Sequence, residues 1–209
     1  MKLLLLGATG LVGRNVLALA LADPHVGEVV APTRRALPVH PKLRNPQVDF
    51  DRLPQDADWW QVDAVVCALG TTMRAAGSEQ AFRRVDHGYP LAAAKLARAH
   101  GTPTYVLNSA IGADASSRFF YNRVKGELEH ALAGEGFASL GFVRPGVIGG
   151  HRDEFRLGER IMVMALAWTG PMLPKRWRLN PAPRIASALL EAAIHPKTGV
   201  HVVTSDQMV

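Results

Sequence analysis

Cysteine is nearly absent from this chain of 209 residues, which carries Cys67 alone. One thiol forms neither an internal disulfide nor a multi-thiolate metal site, and this favours a reducing compartment. Long apolar runs are also missing. The run at residues 2–6 ends at a glycine-rich turn and is too short for a signal peptide, and the run at residues 161–168 is about a third of a membrane span. We therefore predict a soluble, cytoplasmic protein without a transmembrane segment.

Acidic residues are fewer than basic ones, 18 against 24, which gives a formal net charge of +6. This charge permits an anionic small molecule or nucleic acid as a ligand. Nucleic acid is the less favoured, because acidic residues are interspersed and no nucleic-acid-binding motif occurs, although residues 175–178 combine positive charge with an aromatic ring. The eight histidines lack zinc-ligand spacing, so no metal site is predicted.

The apolar residues, 48% of the chain, suffice for a large core. The length favours a single domain over residues 1–209, with a core at about 1–150 and a C-terminal cap and last strand at about 151–209. Short apolar runs alternate with stretches of helical periodicity, which is typical of right-handed βαβ units. We therefore predict an α/β fold, a doubly wound parallel sheet with helices on both faces. The predicted strands are at residues 2–6, 28–32, 47–50, 63–68, 104–108, 139–143 and 200–204. A first helix is predicted from residue 11, and further helices are predicted at about 78–99, 118–133, 152–168 and 183–193. Residues 32–46 are predicted to form a surface loop.

A glycine-rich turn joins the first predicted strand to the first helix. Glycines at this point let the backbone turn sharply and approach a pyrophosphate, and the helix that follows directs its free N–H groups at the phosphates. The alternative is a tight turn with no ligand, but the position between a buried strand and an amphipathic helix favours dinucleotide binding. The predicted cofactor-binding residues of this turn are Gly7, Thr9, Gly10, Leu11, Val12 and Gly13.

Two adjacent arginines, Arg34 and Arg35, follow the second predicted strand, where no acidic residue is present. An acidic side chain there accepts hydrogen bonds from the ribose 2′-hydroxyl of NAD, whereas arginine accommodates the 2′-phosphate of NADP. The pair therefore favours NADP(H) over NAD(H). The alternative is that both arginines belong to a solvated basic loop.

Three further residues suggest acid/base chemistry. Tyr121 and Lys125 lie one turn apart on a predicted helix, so they share a face. A lysine ammonium stabilises the phenolate form of tyrosine and eases transfer of its proton to a carbonyl oxygen. Ser109 follows the fifth predicted strand, at the sheet edge where α/β proteins bind ligands, and its hydroxyl is placed to hold the same oxygen. The alternative for the pair is an ordinary half-exposed helix face.

In these motifs the chain resembles the short-chain dehydrogenase/reductase superfamily in its atypical branch, and more narrowly the Tat-interacting-protein-like NADPH-binding oxidoreductases and their bacterial relatives. The resemblance covers nearly the whole chain. The residues that carry it are Leu69-Gly70-Thr71-Thr72, residues 76–86, Gly112-Ala113-Asp114 with Ser116-Ser117, residues 121–127 and Arg144-Pro145-Gly146-Val147.

The resemblance implies a Rossmann-type fold with NADPH across residues 7–13. It also implies that Leu69, Gly70 and Thr71 lie under the nicotinamide ribose and that Pro145 and Val147 belong to a segment that closes over the nicotinamide. In that picture Lys125 bonds the ribose, Tyr121 is the acid/base and Ser109 orients the substrate carbonyl.

The function predicted from these features is NADP(H)-dependent reduction of a small carbonyl or quinone-like molecule. The alternative is an NADPH-sensing regulatory protein with little or no catalysis. The apolar stretch at residues 161–168 is placed to wall the substrate pocket, to contact a second copy or another protein, or to lie on a membrane surface, and the sequence leaves these uses open.

Overall fold

A seven-stranded parallel sheet forms the centre of the protein in a computed structural model, which describes residues 1–149 and 179–209. The strands are β1 (Lys2–Leu6), β2 (Glu28–Val30), β3 (Leu43–Arg44), β4 (Ala64–Cys67), β5 (Thr104–Asn108), β6 (Ser139–Arg144) and β9 (Gly199–Thr204). Their order is β3-β2-β1-β4-β5-β6-β9. A second, two-stranded sheet pairs β7 (Ile148–Gly149) with β8 (Asn180–Pro181), also in parallel. The predicted Rossmann-type fold is confirmed.

Helices cover both faces of the large sheet. Labelled in order among the described residues, they are α1 (Leu11–Ala22), α2 (Met73–Ala76), α3 (Glu79–Arg83), α4 (Tyr89–Ala99), α5 (Phe120–Ala133) and α6 (Ala182–Ile194). Helices α3 and α4 are joined without a break by a π-helical segment, Arg84–Gly88. Short 3₁₀ turns occupy Asp58–Trp60 and Ser205–Met208.

The leucines of β1 explain why its sequence is continuously apolar. Leu3 and Leu5 belong to one hydrophobic cluster, and Leu4 and Leu6 belong to another on the opposite face. All four are fully buried, because a parallel strand covered by helices on both faces has no solvent side.

The two hydrophobic clusters are covered by different pairs of helices. The first lies beneath α1 and α6, which pack against each other and share this core through residues such as Val16 and Leu189. The second lies beneath α4 and α5 and includes Ala94 and Leu128. Helix α1 follows Gly10 and ends at Ala22, and the extended residue Asp23 separates it from Pro24.

The predicted third strand is wrong. Residues 47–50 contribute only an isolated bridge, Thr33 to Gln47, whereas the third strand is the two-residue β3 inside the stretch predicted to be a loop. Backbone bonds define it: the amide of Val29 donates to Lys42 (2.7 Å) and the amide of Ala31 donates to Arg44 (2.9 Å). An edge strand this short has no alternating apolar pattern, so its sequence gives little signal.

The remaining strand predictions are confirmed within one or two residues, as are the helices at 118–133 and 183–193. The stretch at 78–99 is helical but contains the π-helical segment. Of the residues predicted to form a cap, 179–209 supply α6 to one face of the sheet and β9 to its edge. The helix predicted at 152–168 and the basic cluster at 175–178 lie outside the described residues.

Candidate functional site

The carboxyl ends of β1, β4, β5 and β6 bring together most of the predicted site residues. Strand β1 lies between β2 and β4, so the chain leaves β1 towards one side of the sheet for β2 and β3 and returns to the other side for β4. Ligands of open α/β sheets bind in the crevice at such a switch point. The glycine turn follows β1 there, and Leu69, Gly70 and Thr71 follow β4 beside it.

Two glycines of the first turn are required by close backbone packing. Gly7 has a φ of +85°, and a Cβ on it would lie 2.6 Å from the backbone carbon of Ala68. A Cβ on Gly13 would lie 2.0 Å from the carbonyl oxygen of Gly7. Only glycine permits the helix to begin this close to the strand.

The N-terminus of α1 is open to a ligand. Gly10 precedes the helix and supplies no side-chain cap, and the first turn contains no acidic residue. Thr9 and Gly10 are exposed, while Val12 and Gly13 are buried. An anion suits this end of the helix, because the first amide groups and the helix dipole both favour negative charge.

Arg34 and Arg35 lie just beyond β2 and are both exposed. The Thr33 hydroxyl donates to the carbonyl of Arg35 (2.6 Å) and holds this turn. Asn45 supports the same segment by donating to the carbonyl of Ala31 (2.5 Å). Among the described residues, no acidic side chain forms an ion pair with either arginine.

Lys125 is held by Asp86. Its Nζ lies 2.8 Å from Asp86 Oδ1, and the two side chains are 4% and 1% exposed. The other oxygen, Oδ2, accepts the backbone N–H of Thr71 at 2.7 Å. A Cβ on Gly70 would lie 3.3 Å from Asp86 Oδ1 and 3.9 Å from Lys125 Nζ. Asp86 thus joins the lysine of α5 to the loop after β4.

The π-helical segment carries Asp86. A π-helical turn widens the helix and changes the direction of its side chains, and such turns occur frequently at functional sites. Here the only buried residue of the segment is Asp86. His87, next to it, is partly buried, and burial lowers its pKa.

Tyr121 lies at the start of α5 and is 41% exposed. Its ring packs edge-on against the buried ring of Phe82, with centroids 5.8 Å apart. Lys125 Nζ lies 5.9 Å from the centre of the Tyr121 ring. Burial lowers the pKa of Lys125, but the side chains of Tyr121 and Asp86 raise that pKa by more, and the net shift is upward. The lysine is therefore a buried cation beside the tyrosine.

A cleft of about 360 Å³ opens beside Tyr121. Among the described residues, its polar side chains are those of Ser109, Tyr121 and Asn122, and the other lining groups are apolar or backbone. The cleft brings Ser109 and Tyr121 together with Pro145 and Val147. The described residues that line it are Ser109, Ala110, Ile111, Gly112, Tyr121, Asn122, Pro145, Gly146, Val147 and Ile148.

The hydroxyl of Ser109 does not point freely into this cleft, because it donates to Glu129 Oε1 at 2.5 Å. Arg144 binds the same carboxylate through two nitrogens: Nε lies 2.9 Å from Oε1, and Nη2 contacts Oε2. Glu129 is buried at 6% exposure. Ser109, Glu129 and Arg144 therefore form a closed network behind the cleft wall.

Sequence reasoning missed three residues that hold the site. Asp86 lies in the stretch 76–86 that carries the family resemblance, but the sequence predicts no role for it, and it predicts none for Glu129 or Asn180. The Asn180 side chain is fully buried, accepts the amide of Gly146 at 2.7 Å and holds the Pro145–Val147 segment. One signal was available for Glu129: it lies one turn after Lys125, so a second charge falls on the buried face of α5.

Curated proteins similar to the chain come from fungi and a mammal. Protein HTATIP2 of Rattus norvegicus is 36% identical over 203 residues, which cover 93% of this chain and 82% of that protein. The mitochondrial protein FMP52 of Candida albicans is 34% identical over 180 residues, covering 81% and 77%. The chain belongs to the HTATIP2 and FMP52 family. This confirms its relation to the atypical short-chain dehydrogenase/reductases. No protein-family model matches the sequence.

Solved structures share the fold at low sequence identity. MoeE5, in a complex with UDP-glucose and NAD, has a TM-score of 0.74 and 16% identity, with 97% of this chain and 75% of that one covered. The oxidoreductase ylbE from Lactococcus lactis has a TM-score of 0.70 and 16% identity, with 97% and 90% covered. At this identity the likeness establishes the Rossmann-type fold alone.

The cytoplasmic localisation predicted from the sequence is wrong, because the FMP52 relatives are mitochondrial proteins. A single cysteine favours a reducing compartment, but it does not distinguish one reducing compartment from another. The family members compared are fungal and mammalian, and they give no support to a bacterial type. Within residues 1–149 and 179–209, no helix is long and apolar enough to cross a membrane.

The same part of the chain contains no group of three or more histidine, cysteine or acidic side chains placed to hold a metal ion. Cys67 is fully buried at the end of β4, and burial raises its pKa.

Proposed function

We propose that the protein is an NADP(H)-dependent oxidoreductase that reduces a small carbonyl or quinone-like substrate. One observation carries the proposal: Tyr121 lines an apolar cleft and stands beside a buried lysine that Asp86 fixes in place. The glycine turn and the uncapped end of α1 lie at the same edge of the sheet. Membership of the HTATIP2 and FMP52 family agrees with this reading.

The residues present fit a dinucleotide. Gly7, Gly10 and Gly13 keep side chains away from the start of α1, and its free amide groups suit a pyrophosphate. The remaining proposed contacts in this turn are from Thr9, Leu11 and Val12. That MoeE5 binds NAD on the same fold supports the class of cofactor, and the exposed pair Arg34 and Arg35 supports the 2′-phosphate of NADP.

The nicotinamide end would lie beside Leu69, Gly70 and Thr71, with Pro145 and Val147 on its other side. Lys125 retains N–H donors beyond the one that Asp86 accepts, and these suit the hydroxyls of a ribose. We extend the proposal to the domain: residues 1–209 form one NAD(P)-binding unit.

The proposed chemistry is hydride transfer with proton donation. A bound NADPH supplies the hydride. Tyr121 donates its hydroxyl proton to the carbonyl oxygen, and the Lys125 ammonium stabilises the phenolate that remains. Ser109 helps to orient the substrate in the cleft.

A specific observation favours the second candidate, an NADPH-sensing protein with little catalysis. The Ser109 hydroxyl donates to Glu129 in the described structure, so the cleft presents one proton donor fewer than the sequence predicts. In this alternative, cofactor binding would change the surface offered to a protein partner.

The test compares Tyr121→Phe with the matched variant Tyr89→Phe, whose hydroxyl bonds Asp51 on another surface (2.9 Å). NADPH oxidation is followed with a panel of small ketones, aldehydes and quinones. We expect Tyr121→Phe to lower kcat by at least about 100-fold, because proton transfer contributes this much, and Tyr89→Phe to leave it unchanged. Calorimetry should show NADPH binding by both variants.

Two results would contradict the proposal in different ways. NADPH binding without turnover of any member of the panel favours the sensing protein. A failure to bind NADPH excludes both candidates.

A further inference from the structure

We infer that Ser109 acts in the cleft as a hydrogen-bond acceptor, fixed in that role by Glu129, and that the preferred substrate carries a hydroxyl group next to the carbonyl that is reduced. The inference rests on the proposed function and names a substrate class for the same site. Its structural basis is the network of Ser109, Glu129 and Arg144.

The first step concerns the charge of Glu129. Its side chain is 7% exposed, and Arg144 contacts both of its oxygens. A buried carboxyl group bound in this way by a guanidinium is ionised, because the arginine stays charged and donates to both oxygens. An ionised carboxylate accepts hydrogen bonds and donates none. The proton in the Ser109–Glu129 bond therefore belongs to Ser109.

The second step concerns what Ser109 offers to the cleft. A serine hydroxyl has one proton and two acceptor lone pairs. The proton is taken by Glu129, and the backbone N–H of Ser109 donates to the carbonyl of Val143 (2.8 Å). What remains for a ligand is acceptor capacity. A ligand donor beside Ser109 gains a hydrogen bond to these lone pairs, whereas a ligand acceptor at the same place would be repelled by them.

The third step concerns the other polar groups of the cleft. Besides Ser109 they are the Tyr121 hydroxyl and the Asn122 amide, against apolar neighbours such as Ala110, Ile111 and Pro145. Tyr121 is the proton donor for the carbonyl oxygen, so the acceptors left for a donor group on the substrate are Ser109 and the Asn122 amide oxygen. We assign the group to Ser109, which has no proton left to offer, and Ser109→Ala separates its contribution from that of Asn122. A hydroxyl on the adjacent carbon meets this requirement in a cleft of about 360 Å³.

Reduction of the α-hydroxyketone needs no reactant besides NADPH and a proton. The carbonyl carbon of the α-hydroxyketone gains a hydride from NADPH, which is oxidised to NADP⁺, and the oxygen gains the proton of Tyr121. Solvent later returns a proton to the tyrosine. The neighbouring hydroxyl stays intact and only donates to Ser109. Glu129 does not line the cleft, so it is a positioning residue that acts through Ser109.

The experiment compares α-hydroxyacetophenone with α-methoxyacetophenone. Both ketones carry an oxygen on the carbon next to the carbonyl, so the carbonyl carbon is similarly reactive towards hydride in both. Only the hydroxyketone has a hydrogen-bond donor at that oxygen. For the wild-type protein we expect kcat/KM to be roughly fivefold to tenfold higher for the hydroxyketone, the size of one neutral hydrogen bond. Ser109→Ala removes the acceptor and should bring this ratio close to one.

Glu129→Gln gives a sharper result. A glutamine amide has one acceptor oxygen, so it cannot accept from Ser109 and from both Arg144 nitrogens as the carboxylate does. The Ser109 proton is then no longer fixed by a carboxylate. We expect the preference for the hydroxyketone to fall towards one. A merely structural role of Glu129 would lower both activities together and leave the ratio unchanged.

Failure of the inference is separable from failure of the proposed function. Equal kcat/KM values for both ketones in the wild-type protein would overturn the inference while the oxidoreductase stands. If no ketone is turned over, calorimetric titration of both ketones into Tyr121→Phe protein loaded with NADPH decides the inference: tighter binding of the hydroxyketone supports it, and equal binding refutes it. Should Glu129→Gln fail to fold, as judged by circular dichroism, Ser109→Ala carries the test.

Discussion

The carboxylate of Asp86 lies 2.8 Å from the ammonium of Lys125, and both groups are almost completely removed from solvent. Because the second carboxylate oxygen accepts the amide of Thr71, one side chain fixes both the lysine beside Tyr121 and the loop after β4. A buried pair of this kind is costly to separate, since either charge alone would be buried without a partner.

Asp86→Asn should therefore destabilise the protein strongly. We expect the free energy of unfolding to fall by about 3–5 kcal/mol near neutral pH, because the variant leaves the Lys125 ammonium buried without a counter-charge. Urea unfolding followed by circular dichroism measures the change. Asp51→Asn is the matched control: Asp51 is exposed and 3.9 Å from Arg84, so its loss should cost under about 1 kcal/mol. Equal effects of the two substitutions would refute the special role of Asp86.

Alkaline pH should weaken the fold through Lys125. The pKa of this lysine is raised in the folded protein above its ordinary value of 10.5. A raised folded pKa contributes stability that is fully present below the unfolded pKa and is lost as the pH rises through the folded pKa. We expect a loss of stability above about pH 10.5 in the wild-type protein and a smaller loss in Asp86→Asn, because removing the carboxylate lowers the folded pKa of Lys125 and narrows its difference from the unfolded pKa. Unfolding measured across this range, against Lys95→Met as a surface control, checks the shift.

Gly13 and Gly10 should separate folding from cofactor binding. Gly13→Ala places a Cβ 2.0 Å from the Gly7 carbonyl oxygen, so we expect it to destabilise by at least about 1–3 kcal/mol. A Cβ on Gly10 would lie 3.4 Å from the Gly7 carbonyl oxygen, an ordinary contact distance, and the backbone there is extended. Gly10→Ala should fold with a change under about 1 kcal/mol, yet weaken NADPH binding by crowding the start of α1. Thermal unfolding and calorimetry distinguish the two variants, and unimpaired NADPH binding by Gly10→Ala would contradict the assigned site.

Arg34 and Arg35 should determine the choice between NADPH and NADH. We expect the double variant Arg34→Ala/Arg35→Ala to weaken NADPH binding roughly tenfold to 100-fold, the size expected for charge-assisted hydrogen bonds to a phosphate, and to change NADH binding little. Arg52→Ala, another exposed arginine, serves as the control for net charge. If NADPH and NADH weaken equally, the 2′-phosphate is bound elsewhere.

Much of the fold follows from the sequence because buried parallel strands have a strong pattern. The leucines of β1 and the valines of β4 form continuous apolar runs, and each strand was predicted at its observed position. Strand β3 was misplaced for the opposite reason: it has two residues at the sheet edge, one of them the exposed Arg44. The π-helical segment was not predicted, since its apolar spacing differs from that of an α-helix by only one residue.

The site was predictable only where a single stretch of chain builds it. The glycine turn and the Tyr121–Lys125 pair are local patterns, and they lie at one edge of the sheet as the sequence indicates. The partners of these residues come from other elements: Asp86 reaches Lys125 from the segment before α4, and Arg144 reaches Glu129 from β6. Pairs of this kind depend on packing between elements, which composition and spacing do not report.

The packing of α1 against α6 has a consequence for the order in which the chain acquires structure during synthesis. Helix α1 is made long before α6, but its apolar face, which contains Val16 and Ala20, packs in one cluster with Ile185 and Leu189 of α6. Until α6 is made, this side of the sheet lacks the part of its outer layer that α6 supplies. The protein therefore passes through a stage in which an apolar surface is open to chaperones or to other nascent chains, and the arrival of α6 ends that stage.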